Sequence, residues 1–317
     1  MVIINTGETN TEVMRSNKIN LALIADGNYA IPAAVTLRSA INHNRGKIGQ
    51  LFLLSTNFKQ EDFSILDFLC KEDKIAFHLI KVDENLLNSY DGLSPWSKFT
   101  FIKIMIPKLL KDEERLLYLD VDMLVTGDLS AVYNADMEGN AISAVPDIPV
   151  VREHNRRCGL PADNNYINAG FMLMDLKKWR DADAAGSFDK ALEHLKDLHL
   201  DFINDQDVIN TVFQGSCQAL PSKYNVTNHF FGLHSLYCNK EFRGDWKEGR
   251  KHPVIIHFTG ARRPWKPEVF HPYKREWFRT LAQTPYRRLP YCKLTGNAIK
   301  SWLISGLGIV ADWFRLL

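Results

Sequence analysis

Residues 115 to 125 read Arg-Leu-Leu-Tyr-Leu-Asp-Val-Asp-Met-Leu-Val, an apolar run interrupted by two carboxylates. Such a run suits a strand buried on both faces, and alternate side chains of a strand share a face. Asp120 and Asp122 are therefore expected to point together where a core strand emerges from its sheet. Two carboxylates in that position repel unless a cation sits between them, and hard divalent ions prefer oxygen ligands. The run predicts a metal site for an anionic ligand such as a diphosphate. Strand-end charges that merely face water are the competing reading, and the spacing alone leaves both open. Two further Asp-x-Asp triplets, Asp181-Ala-Asp183 and Asp205-Gln-Asp207, lack the preceding apolar strand. The first follows Trp179-Arg180 in a polar stretch and reads as solvated or capping carboxylates.

The remaining pattern alternates strands with helices. Ile19–Ala25, Leu51–Ser55, Ile75–Ile80, Ala141–Val145, Phe171–Asp175 and Val254–Phe258 read as strands. Helices are expected over Ile31–Ile41, Glu61–Cys70, Phe99–Leu110 (interrupted by Pro107), Ser187–Leu198 and Asp205–Phe213. This order predicts an α/β fold with a mainly parallel central sheet flanked by helices. Open sheets of that kind bind ligands at the carboxyl ends of their strands. The chain has 317 residues, 45% of them hydrophobic and 24% charged, enough for one large or two modest cores.

Charge is unevenly placed. Residues 262 to 300 hold ten Lys or Arg against two acids, a net of +8 where the whole chain carries +2. The five cysteines (70, 158, 217, 238, 292) form no Cys-x-x-Cys pair, which argues against structural zinc and for a reducing compartment. The first eighteen residues are polar and read as an extension rather than a secretion signal. Asn225-Val-Thr227 matches a glycosylation acceptor, a match without meaning in a cytosolic chain.

Two other strand ends carry polar groups. Asp26-Gly-Asn28-Tyr29 lacks the glycine spacing of dinucleotide or P-loop sites. An Asp, an Asn and an aromatic ring suit a base and ribose; a helix cap with a packed tyrosine fits equally well. His257 ends Val254-Ile-Ile256 and opens Phe258-Thr-Gly260-Ala-Arg262-Arg263-Pro264-Trp265. An imidazole can complete a two-carboxylate site and biases it from magnesium towards manganese. A structural histidine remains the alternative.

Taken in order, these segments resemble glycosyltransferase family 8, retaining nucleotide-sugar transferases of GT-A fold. The resemblance runs from about Ile19 to Trp265 and adds Phe101-Ile-Lys103-Ile-Met-Ile-Pro107, Tyr166-Ile-Asn168-Ala-Gly170 through Trp179, and Asp205-Gln206-Asp207. It looks closest to bacterial lipopolysaccharide and lipooligosaccharide glucosyl- and galactosyltransferases. The resemblance implies that Asp120, Asp122 and His257 ligate Mn2+, with Mg2+ as the alternative ion. It implies that Asp26, Asn28 and Tyr29 hold the uridine of UDP-glucose or UDP-galactose. Lys103, Asn168, Asp205 and Gln206 would line the donor sugar and phosphates, Asp147 would orient hydroxyls, and Gly260 and Arg263 would reach the diphosphate. Lys103 stands where the family usually has Arg, and Arg263 where it usually has Lys; charge is kept, but reach and bidentate bonding differ. The family position beneath the sugar is Gln206, a poor nucleophile. Same-face attack is therefore favoured, and Asp205 keeps double displacement open.

The implied organisation is a polar extension over 1–18, a GT-A catalytic domain over 19–265 and a basic, aromatic segment over 266–317. In 301–317, Ser301, Ser305, Gly308, Asp312 and Arg315 would form one narrow polar stripe on a helix. That pattern, beside the +8 stretch, suits a helix lying on an anionic membrane surface, against the alternative of a helix docked on the domain. No nucleic-acid-binding module is recognisable. The expected protein is thus cytoplasmic, peripheral on the cytoplasmic face of the inner membrane, acting on a lipopolysaccharide core acceptor. A self-glucosylating, glycogenin-like primer and a non-catalytic UDP-sugar-binding module on the membrane surface are the rivals.

Overall fold

The computed structural model describes residues 3–5, 18–94, 98–148, 150–231, 242–267 and 269–288. The elements run β1 (Ile3–Asn5), β2 (Ile19–Ile24), α1 (Ala30–His43), β3 (Ile48–Ser55), α2 (Gln60–Glu72), β4 (Ala76–Lys81) and α3 (Ile102–Leu109). Then come β5 (Arg115–Leu119), β6 (Met123–Val125), α4 (Ser130–Tyr133), β7 (Ile142–Pro146), α5 (Val151–Arg157), β8 (Ile167–Asp175) and α6 (Leu176–Ala184). The chain continues through α7 (Ser187–Asp197), α8 (Asp205–Val212), β9 (Cys217–Ala219), β10 (Val226–Thr227), α9 (Arg243–Lys251), β11 (Ile255–His257) and α10 (Lys274–Leu281).

Eight strands form the main sheet in the order β1-β4-β3-β2-β5-β8-β7-β9. β4, β3, β2 and β5 are mutually parallel, β8 runs against both β5 and β7, and β9 is parallel to β7. Six strands therefore share one direction, and the carboxyl ends of β2, β5 and β7 lie on one edge with the start of β8. The apolar runs explain this layering. β5 and β8 are buried on both faces, with Leu116, Leu117, Phe171, Met172 and Leu173 fully covered. Helices close both faces of the sheet, so the strands divide two apolar clusters by their alternating side chains.

β6, β10 and β11 make a second, three-stranded sheet. α1 braces it: Ser39 accepts from the Val125 backbone N–H at 2.9 Å. The expected helix over 99–110 is instead a 3-10 turn, Lys98–Phe101, leading into α3. Pro107 falls in the last turn of α3, where its missing N–H interrupts a helix that is already ending.

The segments outside residues 19–265 also take part in packing. β1 pairs antiparallel with the edge strand β4. α10 lies against α1, its Trp277 is 1% exposed, and Trp277 meets Trp265 at 5.4 Å between ring centroids. Tyr286 donates to Asp62 on α2, and Asn42 donates to Gln283 at 2.9 Å. Residues 289–317, with the stripe predicted over 301–317, lie outside the described residues.

His271 sits behind this docked segment, edge-on to Phe231 and Phe258 at 4.9 and 4.8 Å. Its Nδ1 accepts the Tyr273 backbone N–H at 3.2 Å, so the ring proton belongs on Nε2. Burial, with Arg262 nearby, pushes its pKa from 6.5 down to about 3. The unfolded chain binds a proton below 6.5 that the folded ring refuses, so stability present above that pH should drain away as pH falls towards 3. The stability difference between wild type and His271→Phe, followed by denaturant unfolding, should shift in favour of the variant from pH 7 to pH 4. A pH-independent difference would contradict the assignment.

Candidate functional site

Asp120 and Asp122 do not share a strand face. β5 stops at Leu119, and Asp120 to Asp122 turn the chain into β6. The turn is pinned from two sides. The Thr36 hydroxyl on α1 lies 2.8 Å from the carbonyl oxygens of both Val121 and Met123. The Asp120 backbone N–H donates to Gly170 on β8 at 2.7 Å. The two carboxylates converge because the turn is held, not because of strand alternation.

His257 arrives from the far end of the chain. β11 pairs antiparallel with β6 and places His257 opposite Met123, while the Phe258 N–H donates to the Asp122 carbonyl at 2.9 Å. Ligand atoms of Asp120, Asp122 and His257 lie within 4.8 Å of one another. Nε2 of His257 is 3.2 Å from Asp122 and 3.7 Å from Asp120, while its Nδ1 faces Asn225 at 2.9 Å. His257 and Asp122 are buried; the Asp120 side chain keeps 27% of its surface, so the cluster opens on that side.

The cradle is tight. A Cβ on Gly170 would collide with His257 Cε1 and stand 2.9 Å from an Asp120 carboxylate oxygen. Two carboxylates at this separation repel by about 3–4 kcal/mol at an effective dielectric constant of 20. Two carboxylates and an imidazole nitrogen on one backbone cradle are a donor set that fits a divalent ion of the manganese or magnesium class.

Cations surround the acids. Lys103, on α3, is buried between Asp120 (3.2 Å) and Asp205 (2.8 Å). Burial works against its charge, yet those two carboxylates hold its pKa above the usual lysine range. Arg263 pairs with Asp122, donates through Nε to the Gly260 carbonyl at 2.7 Å, and stacks over Trp265 and Tyr29. Burial opposes ionisation of Asp122, but His257 and Arg263 outweigh it and hold its carboxyl below the ordinary range. Tyr118 donates to Asp120 at 2.6 Å; burial and that carboxylate push its phenol well up.

The other candidates occupy the same edge. Asp147, just past β7, accepts from Gln206 at 2.8 Å, and the Gln206 carbonyl accepts from Ala169 N–H at 3.1 Å. Both ends of that amide are thereby fixed at the start of α8. Asn168, beside Gly170, accepts the Gly170 N–H at 3.1 Å. Asp26 caps a 3-10 turn by accepting the Asn28 N–H at 2.8 Å, and Tyr29 stands edge-on to Trp265 at 6.5 Å. Capping and a place at the site rim thus coexist. Gly260 adopts φ +67°, which favours glycine whatever its neighbours.

The comparison triplets separate. Asp181 pairs with Lys177 (3.2 Å) and Asp183 with Lys108 (2.9 Å), away from the cluster. Asp207 is fully buried, completes a capping box with Asn204, and accepts from Arg157 and Tyr166. Sequence reasoning missed Thr36, Tyr118 and Asn225. Tyr118 carried a signal, two residues before Asp120 on a predicted strand; Thr36 and Asn225 act across 85 and 32 residues and carried none.

The model of the family described as Glycosyl transferase family 8 matches residues 20–268. General stress protein A of Bacillus subtilis (strain 168) is 24% identical over 280 residues, covering 87% of this chain and 98% of that protein. The lipopolysaccharide 1,2-glucosyltransferase of Escherichia coli (strain K12) is 26% identical over 277 residues, covering 86% and 80%. Among solved structures, the galactosyltransferase LgtC in complex with donor and acceptor sugar analogs superposes with a TM-score of 0.73 at 19% identity, covering 89% of this chain and all of that one. That likeness shows the shared GT-A fold.

Gly170→Ala tests the cradle directly. The added methyl should push His257 from the acid pair and weaken Mn2+ binding by at least about 10-fold in calorimetric titration. An unchanged titration would separate ion binding from this geometry.

Proposed function

The chain belongs to glycosyl transferase family 8, and from that premise we propose that it is a divalent-metal-dependent, retaining hexosyltransferase. It would move glucose or galactose from a UDP-sugar to a sugar hydroxyl of a lipopolysaccharide core, forming an α-glycosidic bond. The observation that carries this reading is the convergence of Asp120, Asp122 and His257 at the strand ends, flanked by Lys103 and Arg263. The acceptor class rests on the name of the Escherichia coli relative.

Asp120, Asp122 and His257 would hold Mn2+ or Mg2+. When bound, such an ion supplies Lewis-acid neutralisation of a departing diphosphate. Arg263 would turn its guanidinium from Asp122 to the diphosphate, guided by its stacking between Tyr29 and Trp265. Asp26, Asn28 and Tyr29 would receive the uridine at the end of β2. Lys103 and Asn168 would border the donor phosphates and sugar.

Retention would follow from attack on the same face that the diphosphate leaves, with the leaving phosphate accepting the acceptor's proton. Gln206 supports this, because its carbonyl oxygen is already anchored by Ala169 and retains a lone pair for an oxocarbenium-like centre. Asp147, tied to Gln206, would orient a hydroxyl. Asp205, the carboxylate a double displacement would need, is instead ion-paired with Lys103.

We further propose that residues 266–317 bring the enzyme to the anionic cytoplasmic face of the inner membrane. No helix among the described residues is long and apolar enough to cross a membrane. Trp277 is spent on packing, but Arg262, Arg275, Arg279 and Arg287 stay exposed. Truncation after Gln283 should sharply lower flotation with anionic vesicles; unaltered partition would reject the anchor.

Turnover of UDP-glucose and UDP-galactose with Mn2+, against GDP- and CMP-sugars, tests the function. A preferred donor at ~100 times its dissociation constant should stabilise the fold by about 2.7 kcal/mol. Asp120→Asn and Asp122→Asn should each lower turnover by at least about 100-fold. Gln206→Ala should slow turnover while UDP binding persists. Wild-type rates in any of the three would contradict the roles assigned.

A further inference from the structure

We propose that Asn225 is the positioning residue that orients the His257 ring, keeping a proton on Nδ1 and leaving Nε2 as the nitrogen that faces Asp120 and Asp122. Its relevance to ion binding rests on the ligand reading above.

The assignment follows from a single group whose polarity is beyond doubt. The Gly170 backbone N–H can only donate, so the Asn168 side-chain atom it meets at 3.1 Å is the oxygen, Oδ1. The Asn225 atom 2.9 Å from that same oxygen must then be the donor, Nδ2. This leaves the Asn225 oxygen, Oδ1, facing His257 Nδ1 at 2.9 Å. An oxygen there requires a proton on Nδ1. That proton sits on Nδ1 whatever charge the ring carries, which leaves Nε2, 3.2 Å from Asp122 and 3.7 Å from Asp120, to donate to the acids or to give its lone pair to a cation held between them.

The relay has little freedom to invert. Asn225 is 1% exposed, His257 4% and Asn168 9%. Turning the Asn225 amide over would set oxygen against oxygen at Asn168 and leave the other tautomer's Nε2–H directed at an incoming cation. Buried polar groups do not tolerate such mismatches cheaply. Position does the rest. Asn225 closes a 3-10 turn, Ser222–Tyr224, and immediately precedes β10, whose Thr227 lies in register with His257. Burial also removes Asn225 from any modifying enzyme, so its place in an Asn-Val-Thr triplet is coincidental. Ligating histidines commonly owe their orientation to such a partner on the distant nitrogen.

Three proteins test the proposal: wild type, Asn225→Leu, which keeps volume but removes the acceptor, and Asn225→Asp, which keeps an acceptor for Nδ1–H. Two readouts are taken on the full chain. Long-range 1H–15N spectra of the metal-free protein, with the neutral His257 ring assigned through His257→Gln, report which nitrogen bears hydrogen. Calorimetry reports Mn2+ affinity without nucleotide. The expected result is an Nδ1–H ring in wild type and Asn225→Asp, lost in Asn225→Leu. Mn2+ affinity should fall about 10–100-fold in the leucine variant and less in the aspartate variant, which keeps the acceptor for Nδ1–H but gives up the donor to Asn168. A wild-type ring without hydrogen on Nδ1, or a leucine variant with native melting and an unaltered Nδ1–H, would overturn the proposal. A leucine variant that matches the aspartate variant in both the ring spectrum and Mn2+ affinity would also overturn it, because the acceptor would then make no difference. Failure of wild type to bind Mn2+ would instead defeat the ligand reading, while the ring spectra would still decide the role of Asn225.

Discussion

Negative charge concentrated at one strand end governs this structure. Asp120, Asp122 and Asp205 cluster at the edge where β2, β5 and β7 finish, and Lys103 and Arg263 pair with them. Lys103 stays charged in spite of its burial because two of the acids face it. Arg263 and His257 keep Asp122 ionised against the same opposition. Asp120 is the acid of this group that keeps an open face.

The backbone determines how closely these groups can approach. The main sheet supplies Gly170 on β8 and, just past the end of the antiparallel β5, Asp120, and the small sheet supplies His257 from more than a hundred residues downstream. Gly170 matters because any side chain there would occupy the space between the imidazole and the acid. The turn after β5 matters because its carbonyls are tied to Thr36, which couples the position of the acids to α1. α1 in turn carries α10, so the docked start of the basic segment and the acidic cluster share one supporting helix.

Opposite sides of the cluster are furnished differently. On the β2 side, Tyr29, Trp265 and Arg263 form a stacked aromatic and cationic wall. On the β7 and α8 side, Asp147, Gln206 and Ala169 form a hydrogen-bonded chain of fixed polarity. A flat base with a charged diphosphate suits the first and sugar hydroxyls suit the second. In the proposed transfer, that asymmetry would orient the donor.

Much of the fold was legible in the linear pattern, because burial on both faces of a strand demands unbroken apolar runs such as Leu51–Ser55 and Leu116–Leu119. The helix expected over 99–110 began as a 3-10 turn, since local pattern does not register how a helix start is packed. Asp120, Asp122 and His257 stood out because acids and an imidazole at the ends of apolar runs are chemically out of place. Their mode of convergence was not legible: a turn held by Thr36 and Gly170 replaced the strand alternation that the spacing suggested. Asn225 was invisible, since an asparagine after a tyrosine carries no trace of the histidine it meets 32 residues later. Sequence alone determined which residue types were present and which segments had to be buried, because hydrophobic periodicity is local. Tertiary structure alone decided which polar groups face one another and which nitrogen of His257 is free, because hydrogen-bond polarity is settled only between partners brought together by folding.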